Sequence, residues 1–131
     1  MGWIYMSLQQ AIEVHEKTIE ASGGGTLGQL DVGKLESVLQ HIENDDYYPT
    51  FDRKLAHLFF SACKFHCFVD GNKRIAIATL LIFLYFNDNW IPVDPEELYQ
   101  FTVWIASSPP KAKAGTLKAI EDFVKTHLTE V

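Results

Sequence analysis

Between Lys73 and Phe86 the chain runs through Ile75, Ile77, Ala78, Leu80, Leu81, Ile82, Phe83 and Leu84 with almost no polar position. A helix that is apolar all round is a buried one, so this stretch fixes the plan: the other segments must wrap it. The run is too short to span a bilayer, which needs roughly 20 apolar residues. Its first turn then lies inside the protein, where four backbone N–H groups lack partners within the helix. Gly71, Asn72, Lys73 and Arg74 cover that end, and a helix N-terminus so placed is an anion site.

The residues around it carry chemistry. His66, Cys67, Phe68, Val69, Asp70, Gly71, Asn72, Lys73 and Arg74 follow one another without a break. Glycine reaches backbone angles closed to other residues, so N–H groups of the loop and first turn can converge on one oxyanion. Lys73 and Arg74 add full charges, and the arginine fork suits phosphate oxygens. Asp70 beside an anion site is repulsive unless a cation stands between them, and Mg²⁺ is the natural bridge. His66, with an ordinary pKa of about 6.5, suits removal of a proton from a hydroxyl. Phe68 anchors the loop between base and phosphate site.

These residue types in this order resemble the signature of the Fic/Doc superfamily, H-x-F-x-D/E-G/A-N-G/K-R. Lys73 in place of the usual glycine is similar to the death-on-curing (Doc) branch, the toxins of toxin–antitoxin modules. His15 to Leu39, with Ser22-Gly23-Gly24-Gly25 and Gly33-Lys34-Leu35-Glu36-Ser37 inside it, is similar to the family's N-terminal region. The resemblance implies a compact helical bundle and transfer of part of a nucleoside triphosphate to a protein hydroxyl. His66 would be the general base, Asp70 the Mg²⁺ ligand, and Gly71, Asn72, Lys73 and Arg74 the seat for the phosphates, with Phe68 fixing the loop in the core. For a Doc-like chain it implies ATP as donor of its γ-phosphate, a translation elongation factor as target class, and a cognate antitoxin. Nucleotidyl transfer (AMPylation) on the same fold and a non-catalytic nucleotide sensor are the alternatives. An intact His66 and Asp70 count against the sensor, which needs neither base nor metal ligand.

Two departures bear on this. Ile75, Ala76 and Ile77 follow Arg74, so the second arginine of the long Fic signature is missing. Thr126 and Glu130 match the first half of the self-inhibitory S/T-x-x-x-E-G/N pattern, and Val131 fails the rest.

The 131 residues make one domain over 1–131, able to bury roughly two-thirds of its unfolded surface. The apolar share of 47% and charged share of 21% are those of a soluble globule. Met1 to Ser7 lacks the basic start of a signal peptide, and Cys63 and Cys67, four apart, read as reduced thiols, so the expectation is a cytoplasmic protein. A net charge of −6 argues against direct nucleic-acid binding. Residues 53–74 hold Arg53, Lys54, Lys64, Lys73 and Arg74 against Asp70, a basic focus that fits a small polyanion. Arg53 and Lys54 read as a solvated face, while Lys64 fits either that focus or solvent.

The rest reads as helices. Leu8, Ala11, Ile12, His15 and Ile19 sit at helical spacing behind a Ser7/Gln10 capping box, and the glycines at 23–25 end that helix. Asp31 is placed to cap a second helix to about Ile42, and Asp52 a third bearing Leu55, Leu58, Phe59, Ala62, Cys63 and His66. Asn44 to Thr50 is a loop with two exposed tyrosines, Tyr47 and Tyr48, and His15 and His41 are partly buried helix residues. Asp94 followed by Pro95 marks a helix start for a segment to about Ala106. Lys111 to Gly115 reads as a loose connection before a last helix from about Thr116. No stretch shows sustained strand alternation. The fold class is all-α, about six helices around the buried one at 73–86.

Overall fold

In a computed structural model, residues 2–21, 32–65 and 71–130 are described. Among them are six α-helices: α1 (Leu8–Ala21), α2 (Val32–His41), α3 (Phe51–Lys64), α4 (Asn72–Phe86), α5 (Pro95–Ala106) and α6 (Lys113–His127). A short antiparallel pair of two-residue strands accompanies them, β1 (Asn89–Trp90) beside β2 (Thr129–Glu130), with Asn89 opposite Glu130 and Trp90 opposite Thr129. The all-α expectation holds. No described helix is long and apolar enough to cross a membrane.

The helix starts follow local chemistry. Ser7 and Gln10 form the reciprocal box: the Ser7 N–H donates to Gln10 Oε1 at 2.8 Å and the Gln10 N–H to Ser7 Oγ at 3.1 Å. Asp94 caps α5, accepting from the Glu96 N–H at 2.8 Å with Pro95 in the first turn. The cap of α3 is Thr50 rather than Asp52. Thr50 keeps extended angles after Pro49 and accepts from the Arg53 N–H at 3.4 Å. The buried Phe51, stacked on Trp3 with centroids 4.4 Å apart, draws the helix start that far back. Asp52 instead faces Lys125 at 3.5 Å. The position of Asp31 lies outside the described residues.

The last helix also starts earlier than expected. A 3-10 turn at Pro110–Ala112 runs straight into α6 at Lys113, so Lys111 to Gly115 is ordered structure. Thr116 is buried inside the first turn, because its hydroxyl donates to the Ala112 carbonyl at 2.9 Å and so brings no unpaired polar group into the core.

The core is shared by two helices. α4 packs against α1, α3, α5 and β1, and α3 against α2, α4, α5 and α6. On α4 the sealed face is Ile75, Ala76, Thr79, Leu80, Phe83 and Leu84, while Ile77, Leu81 and Ile82 are half-buried and Tyr85 is exposed. α3, less apolar in sequence, buries an unbroken stretch from Lys54 to Cys63 apart from a half-buried His57. Lys54 is fully enclosed rather than solvated. Its ammonium donates to the Ile42 carbonyl at 2.6 Å and to Asp45 Oδ1 at 2.8 Å, and lies 5.5 Å from the Tyr5 ring centroid. A buried cation is tolerable only with such partners.

Candidate functional site

The motif occupies the junction between α3 and α4. α3 ends as Phe65 turns extended, its N–H donating to the Ser61 carbonyl at 2.9 Å. His66, Phe68 and Asp70 lie outside the described residues. The structure resumes at Gly71, which takes φ 76° and ψ 21° as the N-cap of α4, and its carbonyl accepts the Ile75 N–H at 2.9 Å. This is the left-handed region that L side chains avoid. Asn72, Lys73 and Arg74 then form the first turn, Lys73 exposed, Asn72 and Arg74 half-buried.

Glycine is required at 71 for a second reason. A β-carbon there would stand 2.8 Å from Ile19 Cδ1 and 3.6 Å from His15 Nε2. α1 therefore backs the turn, and the two residues doing so are its buried His15 and Ile19. Sequence reasoning placed both in the core of α1 but not against Gly71. Their helical spacing gave the face, and nothing local gave the neighbour. His41 is exposed.

Electrostatics concentrate at the same end. Burial pushes the Cys63 thiol up to about 12, against the pull of Lys73 and Lys64. A thiol so held is an inert packing group, and Cys63 is free. Lys64 is spent on architecture, donating to the carbonyls of Ala106 and Ser108 and so pinning the end of α3 to the end of α5. Arg53 sits 3.7 Å from Glu121. Of the five cations in the basic focus, Lys54, Lys64 and Arg53 make contacts away from the turn, while Lys73 and Arg74 stand in the first turn of α4 itself.

The described part of the motif fits an anion: a left-handed glycine opening a helix, followed by two cations in its first turn. The proposed Mg²⁺ ligand, Asp70, is outside the described residues, and among those described no group of three or more His, Cys, Asp or Glu side chains could hold a metal.

The sequence model of the Fic/DOC family matches residues 5–84. The chain belongs to the Fic/DOC family. The match runs from the segment before α1 almost to the end of α4, the part of the molecule that builds and backs the turn. No curated protein matches the chain. Fic/DOC proteins are typically transferases that act on proteins and use ATP, usually with Mg²⁺, and a left-handed glycine with two cations at the head of α4 suits that chemistry. The Thr126–Glu130 pattern is at the wrong end for self-inhibition. Glu130 pairs with Asn89 just beyond the C-terminus of α4, a helix of 15 residues and hence roughly 22 Å long.

Proposed function

We propose that this chain is a Doc-type toxin that transfers the γ-phosphate of ATP to a hydroxyl of a target protein, with a bacterial translation elongation factor as the target class. The observation that carries the reading is the turn at Gly71 with an exposed lysine at position 73. In glycine-bearing relatives the bare backbone lets a phosphate lie close and presents the α-phosphate. A lysine there fills that space and offers its charge to a phosphate placed elsewhere, which favours presentation of the γ-phosphate. The missing second arginine points the same way.

In this reading His66 takes the proton of the target hydroxyl, whose oxygen bonds to the γ-phosphorus as the bond to the β–γ bridging oxygen breaks and ADP leaves. Gly71, Asn72, Lys73 and Arg74 seat the phosphates, and Phe68 holds the loop against the core. Mg²⁺, held by Asp70, would neutralise the charge that develops on the phosphates. Placement and electrostatics supply most of such a reaction. The whole of 1–131 acts as one domain, since α5 and α6, beyond the family match, pack directly on α3 and α4 or on α3. Restraint comes from another chain, an antitoxin laying an amphipathic helix over the site, because the chain's own C-terminal pattern lies at the far end of α4. The protein works in the cytoplasm, where both ATP and the translation machinery are found.

Incubation with Mg²⁺ and a bacterial lysate, once with γ-labelled and once with α-labelled ATP, tests this. Label on a lysate protein from the γ position alone is expected. Label retained from the α position would mean nucleotidyl transfer, and label from neither, with any antitoxin removed, would mean a sensor.

A further inference from the structure

The last turn of α3 is fastened where the motif begins. Lys64 closes that helix, and its ammonium crosses to the end of α5, donating to the carbonyls of Ala106, at 3.2 Å, and Ser108, with the Ser108 hydroxyl at 3.5 Å. The seat for this cation follows from the sequence beyond α5. A helix end leaves its last carbonyls without backbone donors, and Pro109 and Pro110, which carry no N–H, remove the two that a further turn would bring to Ile105 and Ala106. Ser108 serves the Ile105 carbonyl instead, its N–H at 3.1 Å and its hydroxyl at 2.7 Å. The Ala106 carbonyl goes to Lys64, whose charge also suits the negative end of the α5 dipole. Ala106 and Ser108 lie beyond the family match at 5–84, so the anchor belongs to the part of the chain outside that match.

The next residue is held as well. Phe65 turns extended, with φ −90° and ψ 133°, ties its N–H back to the Ser61 carbonyl, and has the Lys34 ammonium 5.4 Å from its ring centroid. Lys64 precedes His66 by two residues. On the other side of the motif, Gly71 is backed by His15 and Ile19. The chain thus enters the motif from a post built with α5 and α2 and leaves it at a post built with α1.

We propose that Lys64 is a positioning residue for the transfer reaction: by holding the last turn of α3 against the end of α5, it sets the point from which the chain runs on to His66. The proposal rests on the reading of His66 as the base. A base must stand within hydrogen-bond reach of the hydroxyl it deprotonates, and a misplacement of about 1 Å costs up to about 100-fold in rate. In the same reading the phosphates are seated at the other end of the motif, on the Gly71 turn. Loosening the Lys64 anchor therefore slows transfer and leaves ATP bound.

The test uses the full chain and follows label passing from ATP to a lysate protein. Lys64→Met, which keeps an unbranched stem and loses the ammonium, should lower the rate at saturating ATP by about 10- to 100-fold with the ATP dissociation constant unchanged. Lys64→Arg, still able to donate to both carbonyls, should recover most of the rate. If Lys64→Met is too unstable to assay, Lys64→Gln should show the same split in smaller measure. In His66→Ala, adding Lys64→Met should cost no further rate, because two changes acting through one group are not additive. By NMR, the His66 ring resonances should move in Lys64→Met while those of His15, behind Gly71, keep their positions. Native-like transfer in Lys64→Met, a further fall on top of His66→Ala, or unmoved His66 resonances would overturn the proposal. Full activity in His66→Ala would overturn the reading of the base and this proposal with it, whereas loss of activity there alongside native-like transfer in Lys64→Met would overturn the proposal alone.

Discussion

At its C-terminal end α4 is tied down on several sides. Asn87 donates to the carbonyls of Phe83 and Ile4, both at 2.9 Å, and accepts from the Ile4 N–H at 2.7 Å. Asn89 donates to the Asn87 carbonyl at 2.8 Å, and the β1–β2 pair closes over the chain beyond. At the N-terminal end the N-cap is a left-handed glycine, which has no side chain with which to cap the helix, and two cations follow within the first turn. One helix thus carries two ends of different make, one closed by asparagine side chains and a strand pair, the other opened by a left-handed glycine with two cations behind it. The second kind of end is the one that suits an anion, which is why the proposed function is placed there.

The largest disturbance of this contrast is Gly71→Ala. A β-carbon at positive φ costs about 1–2 kcal/mol and the overlap with Ile19 about 1–3 kcal/mol more, so urea unfolding should show a loss of roughly 2–5 kcal/mol along with loss of ATP binding. Adding Ile19→Ala should relieve the overlap but not the strain, leaving binding impaired. Asn87→Ala, at the finished end, should cost about 1–2 kcal/mol for its lost bonds and leave ATP affinity unchanged. A fall in affinity there would show that the two ends are not independent.

The smallest effect lies away from both ends. The folded-state pKa of His57, about 4, is below its ordinary value of about 6.5, so protonation favours the unfolded chain. The stability this group preserves is complete above about 6.5 and is lost as pH falls toward 4. Burial is the largest cause, Lys113 and His41 add like charge beside it, Lys34 lines a cleft next to it, and Arg53 and Glu121 line a second hollow against it. Unfolding between pH 7 and 4 should therefore show a steeper loss in the native chain than in His57→Phe, which keeps a ring against Tyr48.

Much of this plan was legible in the sequence because it is local. The Ser7/Gln10 box, the Asp94–Pro95 start and the apolar run into α4 need only neighbours a turn apart. The motif was legible for the same reason, seven specified positions within nine residues. What escaped depends on partners far along the chain. Lys54 reads as a surface residue because Asp45 and the Ile42 carbonyl that satisfy it meet it only after folding. Lys64 reads as part of a basic focus because its acceptors, Ala106 and Ser108, are over forty residues away. Hydropathy made α4 the centre, yet α3 is more thoroughly enclosed, since burial follows the number of packed neighbours rather than side-chain apolarity alone. The backing of Gly71 by His15 and Ile19 belongs to the same class.

The central claim is that the head of α4 seats phosphates for a reaction in which His66 takes the proton. The direct measurement pairs transfer rate with ATP affinity in His66→Ala. Transfer should fall by at least about 100-fold while the ATP dissociation constant and the unfolding midpoint stay near those of the native chain. Full activity in His66→Ala, or loss of ATP binding in step with activity, would contradict it.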